Sequence, residues 1–257
     1  MVLSKRKQDI MNLLKEKKSL RVQSLIEQMP AAPATIRRDI SSLEAGGLIY
    51  RTRGEIHLSE SDRSIVLPAI ARGGLHASEK ARIARYAAGL ISNNMNIILD
   101  SGSTTAALAQ KLTDRKVTVV TNSLDVSSIL SKSNVNVICC GGMLQGDHMC
   151  FVGPDAQAFF SKIEVDIAFL GASGVRSTAG FTTSSPLQYD VKRAIVAAAR
   201  KRYVLLDTSK LHSSHLYVFA GLKDFDAVIT NTPDSGSVEE AMLSQLSDAG
   251  ANIVCVP

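Results

Sequence analysis

The sequence predicts an α/β protein: a mainly parallel, Rossmann-like sheet preceded by a small helical module that ends in a β-hairpin. Three observations predict it. Beyond residue 79, short apolar β-type runs alternate with helix-compatible segments, the pattern of parallel strands covered on both faces. The first 58 residues instead carry three stretches of helical periodicity and then two short strands around a turn. Charge divides the chain at the same place. Residues 1–58 hold eleven Lys/Arg against six Asp/Glu, whereas residues 59–257 hold eighteen of each.

In the N-terminal module, Ile10, Leu13 and Leu14 recur at helical spacing among lysines and Arg6, which gives an amphipathic first helix. Val22, Leu25, Ile26 and Met29 give a short second helix, ended by Pro30. Pro33 suits the first position of a third, because the N–H that proline lacks would be unpaired there anyway. Ile36, Ile40 and Leu43 form one apolar stripe on that helix. Thr35, Arg38, Ser41 and Ser42 are expected to face away from it, with Arg37 at the flank. Gly46-Gly47 reads as its C-cap. Residues 48–53 and 55–58 then form a wing around Gly54, with Arg51 and Arg53 within reach of a sugar-phosphate backbone or minor groove. Arginine can donate two bonds to a guanine edge or bind phosphate, and hydroxyls contact either. The element order is that of a winged helix-turn-helix, so the basic charge points to double-stranded DNA. The competing reading is a helical bundle used for dimerisation.

Residues 59–78 lack periodicity and contain Pro68 and Gly73-Gly74, so they read as a linker between a DNA-binding domain at 1–58 and an α/β domain at 79–257. A helix over 79–91 opens the second domain. Strands are predicted at 96–99, 117–120, 135–140, 165–170, 203–206, 227–229 and 252–256, and helices at 104–112, 124–130, 156–162, 187–200 and 238–248. Ligands bind such sheets at the carboxyl ends of the strands. Small polar clusters fall there: Asp100-Ser101-Gly102-Ser103-Thr104-Thr105, Thr121-Asn122-Ser123, Gly141-Gly142, Gly171-Ala172-Ser173-Gly174 and Asp207-Thr208-Ser209-Lys210. The first runs straight into a helix, where hydroxyls and free N–H groups suit a phosphate. Each cluster alone reads equally as a structural turn. Their recurrence on one edge of one sheet is the stronger signal.

Other features exclude classes. No apolar run is long enough to span a bilayer, and the N-terminus lacks an export signal, which predicts a cytoplasmic protein without a membrane partner. Cys139, Cys140, Cys150 and Cys255 show no metal-ligand spacing and read as reduced, mostly buried thiols. No metal or cofactor is called for.

The segment TIRRDIxxLExxGLIxRTRG at 35–54 resembles the signature of the DeoR family of bacterial sugar-metabolism repressors. The resemblance continues through EKxxIAxxAA at 79–88, LDSGSTT at 99–105, TNS at 121–123, GG at 141–142, Gly153-Pro154, FLGASG at 169–174, VKR at 191–193 and LDTSK at 206–210. The chain departs from the family pattern at Ala32, where a serine is usual, at Glu55 in the wing, and at Gln188 and Tyr189 before VKR. The resemblance implies a sensor fold similar to ribose-5-phosphate isomerase. It implies a sugar-phosphate effector held by Asp100, Gly102, Ser103, Thr104, Thr105, Asn122, Ser123, Gly141, Gly142 and Lys210. It further implies a non-enzymatic homo-oligomer, dimer or tetramer, that represses a carbohydrate-catabolism operon. Two other readings compete. One is a sugar-phosphate isomerase with a DNA-binding appendage, in which Asp100, Asp207 and Lys210 supply acid–base chemistry. The other is an architectural DNA binder that senses nothing, to which phosphate-type turns would be useless.

Overall fold

The computed structural model describes residues 4–17, 19–45, 48–52, 54–58 and 76–257. Arg53, Gly46-Gly47 and residues 59–75 of the expected linker lie outside the described residues, as does the side chain of Arg51. The chain divides into two compact units, Met1–Leu75 and His76–Pro257.

In the first unit, α1 (Lys5–Lys17) leads through a short strand β1 (Ser19–Arg21) into α2 (Val22–Gln28) and α3 (Pro33–Ala45). Strands β2 (Ile49–Thr52) and β3 (Glu55–Leu58) follow. The three strands pair in the order β1-β3-β2, both pairings antiparallel. The sequence reading missed β1, which is three residues long and alternates half-buried Ser19, buried Leu20 and exposed Arg21. One core joins every element: Ile10 and Leu14 of α1, Leu25 of α2, Ile36, Ile40 and Leu43 of α3, and Ile49 and Ile56 of the wing. The stripe read at helical spacing is therefore the buried face of α3.

The second unit opens with α4 (Ala77–Gly89), two residues earlier than the periodicity placed it. Its main sheet has seven strands, all parallel, in the order β15-β14-β12-β9-β4-β5-β6. These strands are β4 (Asn96–Leu99), β5 (Thr118–Thr121), β6 (Asn136–Cys139), β9 (Val165–Gly171), β12 (Ala199–Leu205), β14 (Ala227–Asn231) and β15 (Ile253–Val256). The helices between them are α5 (Ser103–Ala109), α6 (Leu124–Leu130), α7 (Pro154–Phe160), α8 (Pro186–Ala197) and α9 (Val238–Asp248). Because side chains alternate across a strand, one strand feeds two cores. On β9, Val165, Ala168 and Leu170 pack into one cluster and Ile167 and Phe169 into the other. This two-sided burial is why the strands read as near-continuous apolar runs.

Residues 187–200 do not form one helix. Helix α8 stops at Ala197, and Ala199 already pairs with Val165 of β9. Alanine fits either state, so the Ala197–Ala199 run gives periodicity no boundary to detect. Two antiparallel additions were not anticipated. One is a hairpin of β7 (Met143–Gln145) and β8 (Cys150–Val152). The other is a small sheet of β10 (Gly174–Arg176), β11 (Gly180–Thr183) and β13 (Tyr217–Ala220), in the order β10-β11-β13. Their strands are three or four residues long and rich in Gly, Thr or exposed side chains, so they carry no clean alternation.

The chain runs outward from β4 through β5 to β6, then returns to β9 and runs outward the other way. The direction reverses between β4 and β9, and that is where such sheets open a ligand crevice. Phe169 stands at this junction, fully buried, in register with Leu99 and Tyr203 and stacked on the Tyr203 ring at 5.5 Å. Phe169→Ala is expected to destabilise the second unit by about 3–5 kcal/mol, since it leaves a cavity in a close-packed layer. Denaturant unfolding of the full chain measures this, and a loss below about 1 kcal/mol would show that the junction collapses freely.

Candidate functional site

The loop after β4 and the loop after β9 face each other across the reversal point. Asp100 immediately follows β4 and is completely buried. Its backbone N–H donates to Phe169 O at 3.0 Å, and its Oδ2 accepts from the Gly171 N–H at 3.2 Å. The Lys192 ammonium, carried on α8 and itself only 3% exposed, donates to the same Oδ2 and to Gly171 O at 2.8 Å. It also lies 5.1 Å over the Phe219 ring. A buried carboxylate requires such a partner, since an isolated one would be strongly disfavoured.

The turn beyond Asp100 is held from inside. Thr105 Oγ1 donates to Asp100 O at 2.6 Å and approaches Gly102 O at 2.9 Å. Thr105 therefore has its hydroxyl committed to the turn. Gly102 is the N-cap of α5 and supplies no side-chain cap to Ser103, Thr104 or Thr105, whose first-turn N–H groups have no partner within the helix. Ser103 is half-buried and Thr104 buried.

On the next strand, Thr121 Oγ1 donates to Leu99 O at 2.6 Å and accepts the Ser123 N–H at 2.9 Å, which fixes the end of β5 beside the Asp100 turn. Ser123 caps α6, its Oγ accepting from Val126 N–H at 3.2 Å. Asn122 differs. It is 1% exposed, its Nδ2 donates to Phe151 O at 3.4 Å, and its Oδ1 has no hydrogen-bond partner among the described residues. Reversing the amide would set oxygen against the Phe151 carbonyl, so the orientation is determined and the orphan is an acceptor. Buried acceptors are nearly always satisfied, so an exception at the carboxyl end of a strand calls for an explanation.

The remaining residues lie around this centre. Gly141 and Gly142 turn the chain from β6 into β7, both at positive φ. A Cβ on Gly142 would meet Val152 O at 2.9 Å, so this turn has a structural requirement of its own. Beside it, burial and the neighbouring Cys139 push the Cys140 thiol up to about 12, so it remains protonated at neutral pH. Asp207, at the end of β12, is buried and accepts from Ser209 Oγ. Lys210 is half-buried in the short helical turn that follows, two strands from β4; its backbone N–H donates to Asp207 O at 3.0 Å, while its ammonium makes no hydrogen bond or ion pair among the described residues. Sequence reasoning assigned no role to Lys192, nor to the neutral cluster in which Gln188 Nε2 reaches Gln145 Oε1 at 3.3 Å and Thr183 Oγ1 reaches Gln188 Oε1 at 3.2 Å. The signal was present: Gln188, Val191, Lys192 and Ile195 share the buried face of α8, so two polar groups interrupt an apolar stripe.

In the first unit, Arg37 and Arg38 are exposed on α3 and make no ion pair among the described residues, while Thr35 is half-buried beside them. Ser41 is exposed. Ser42 turns inward, its Oγ accepting from Lys7 Nζ at 2.7 Å, so it does not share the outer face expected of it. Asp39 is buried and bonded to Arg6 Nε at 2.5 Å. These two contacts clamp α3 to α1. At Ala32, only the backbone carbonyl caps α3, accepting from Thr35 and Ile36. Glu55 of the wing pairs with Arg21 at 3.3 Å, which offsets its charge in an exposed setting.

Two family models match the chain: the DeoR-like helix-turn-helix domain over residues 6–62 and the DeoR C terminal sensor domain over residues 75–232. The transcriptional repressor AccR of Agrobacterium fabrum is 33% identical over 235 residues, 90% of each chain. The glycerol-3-phosphate regulon repressor of Escherichia coli is 30% identical over 241 residues, 93% of this chain and 95% of that one. Among solved structures, ribose 5-phosphate isomerase A from Methanocaldococcus jannaschii aligns with 51% of this chain and 53% of its own, at 21% identity and a TM-score of 0.39.

The orphan on Asn122 predicts an asymmetric mutational response. Asn122→Ala is expected to change the stability of the ligand-free protein by less than about 1 kcal/mol, because one long hydrogen bond is lost while one unpaired acceptor is removed. Urea unfolding tests this, and a loss above about 3 kcal/mol would make Asn122 a structural residue.

Proposed function

The chain belongs to the DeoR family of helix-turn-helix transcriptional regulators, and from that premise we propose that it represses a carbohydrate-catabolism operon until a phosphorylated sugar binds its sensor domain. The observation that carries the sensing half is the buried Asn122 Oδ1, without a partner among the described residues, just past the end of β5, the strand paired with β4 and its uncapped Gly102–Thr105 turn. The first-turn N–H groups and the hydroxyls of Ser103 and Thr104 suit a phosphoryl group. An acceptor that lacks a donor suits a sugar hydroxyl. Lys210 adds a cation from the β12 side, and Ser123 and Gly141-Gly142 shape the β5 and β6 side.

DNA reading is assigned to residues 1–58, sensing to 79–257, and the connection to 59–78. Thr35, Arg37, Arg38 and Ser41 present the outer face of α3 to the major groove, and Arg51 and Arg53 extend the wing along the backbone. Ser42 contributes by holding Lys7 rather than by touching DNA. A homodimer or tetramer offers two such helices to operator half-sites. The effector changes DNA affinity only by as much as it prefers one state of the sensor over the other.

Relatives over nearly the whole chain are named as transcriptional regulators, and the chain is a regulator rather than an enzyme. The acid–base candidates fit that role, since both Asp100 and Asp207 have their carboxylates engaged by neighbours.

Two measurements test the proposal. Arg38→Ala is expected to weaken binding to an operator selected in vitro by about 1–3 kcal/mol, read by fluorescence anisotropy at fixed salt. Unchanged affinity would remove Arg38 from the base contacts. Thr104→Ile is expected to leave operator binding intact while abolishing release by sugar phosphates. The effector is found by thermal-shift screening of the full chain against phosphorylated and free sugars. If free sugars stabilise it as well as their phosphates do, the phosphate assignment fails.

A further inference from the structure

Lys192 lies outside the turns that would touch an effector, yet its buried ammonium reaches the residue that precedes one of them. It stands on the apolar face of α8 with Val191 and Ile195. Its ammonium spends one donor on Asp100 Oδ2 and one on Gly171 O, and the Phe219 ring covers it at 5.1 Å. Asp100 is the residue immediately before the Ser101-Gly102-Ser103 turn, and its carboxylate is fully shielded from water. An unneutralised negative charge there would oppose any anion at the turn. At about 5 Å and an effective dielectric near 20, two like unit charges cost more than tenfold in affinity.

We propose that Lys192 is a positioning residue for the effector: it neutralises Asp100 so that the adjoining turn can accept a phosphoryl group, and it ties the loops after β4 and β9 together across the crevice. This deepens the sensing role proposed above and rests on it. Lys192 touches no ligand in this scheme. It acts through Asp100, whose carboxylate orients the Gly171 N–H and whose carbonyl anchors Thr105. The arrangement is asymmetric in charge. Lysine without aspartate leaves a net positive site, aspartate without lysine a net negative one, and removal of both a neutral one.

Isothermal titration of the full chain with inorganic phosphate separates these cases, with thermal melts confirming that each variant is folded. Lys192→Met is expected to bind phosphate at least about tenfold more weakly than the unaltered protein. The double variant Asp100→Asn/Lys192→Met is expected to recover most of that loss, because charge and not shape was missing. Asp100→Asn alone is expected to bind phosphate more tightly than the unaltered protein. If Lys192→Met binds as the unaltered protein does, or the double variant stays as weak as Lys192→Met, the proposal is overturned while the sensing site stands. If Lys192→Met does not fold, the Asp100→Asn titration decides alone: tighter binding supports the proposal, and weaker binding overturns it. An unaltered protein that binds no phosphate at millimolar concentration removes the phosphate site itself, and this inference with it.

Discussion

A carboxylate with no exposure to water follows β4, beside the central strand β9 of the sensor sheet, and much of the surrounding architecture follows from the need to neutralise it. Asp100 receives Lys192 from α8 and the Gly171 N–H from the end of β9. Breaking one side of such a pair costs far more than replacing both sides with apolar groups, so the pair specifies geometry more than it adds net stability. What it specifies is the spacing of two loops on either side of the chain reversal. The same ammonium holds Gly171 O and lies against Phe219 of β13, so the small β10-β11-β13 sheet is also brought to the rim of the crevice. One side chain thereby couples β4, β9, α8 and an antiparallel layer that share no continuous stretch of sequence.

The DNA-binding unit uses charge in a comparable way. Asp39 and Ser42 lie on α3, but both face α1, where they accept from Arg6 and Lys7. These contacts set the rotation of α3 about its own axis, which its apolar stripe alone fixes only loosely. With that rotation set, Arg37 and Arg38 are left exposed. Four of the basic and polar side chains in this region thus divide into two pairs, one holding the helix and one presented by it. The Glu55 departure in the wing is offset by Arg21 on the adjacent strand, an exposed pair whose value is register rather than stability.

The inner strands β4, β5, β9 and β14 were legible because they are buried on both faces and therefore mostly apolar, as Ile97, Ile98 and Leu99 illustrate, whereas edge strand β6 is largely exposed and the first half of β12 is charged. The polar turns after them were legible because strand ends are where such sheets place ligands. The hairpin at Met143–Val152 and the Gly174–Arg176 strand were not legible, since segments of three residues carry too few alternations to register as a period. The rotation of Ser42 was also missed. At i+6 from Ile36 and i+2 from Ile40 it lies off the apolar stripe, on the side of Asp39, and only the tertiary position of Lys7 decides which way it points. Lys192 illustrates the harder limit. A lysine on an apolar helix face announces a buried charge, but its partner is 92 residues away and chain order gives no hint of the pairing.

The same pairing bears on why this fold serves as a sensor here. A catalytic base must be free to take a proton from its substrate and give it up again. Asp100 is instead held by an ammonium and a backbone N–H, and Asp207 by Ser209. Proton transfer to either would forfeit contacts that shape the crevice, so the groups best placed for chemistry are the ones the structure can least spare. Regulation makes a different demand. It requires only that a ligand fit one arrangement of these loops better than another, and the sensing site proposed above would meet that demand without any bond being made or broken. Carboxylates held by their neighbours in this way are poor acid–base groups, and a regulator needs none.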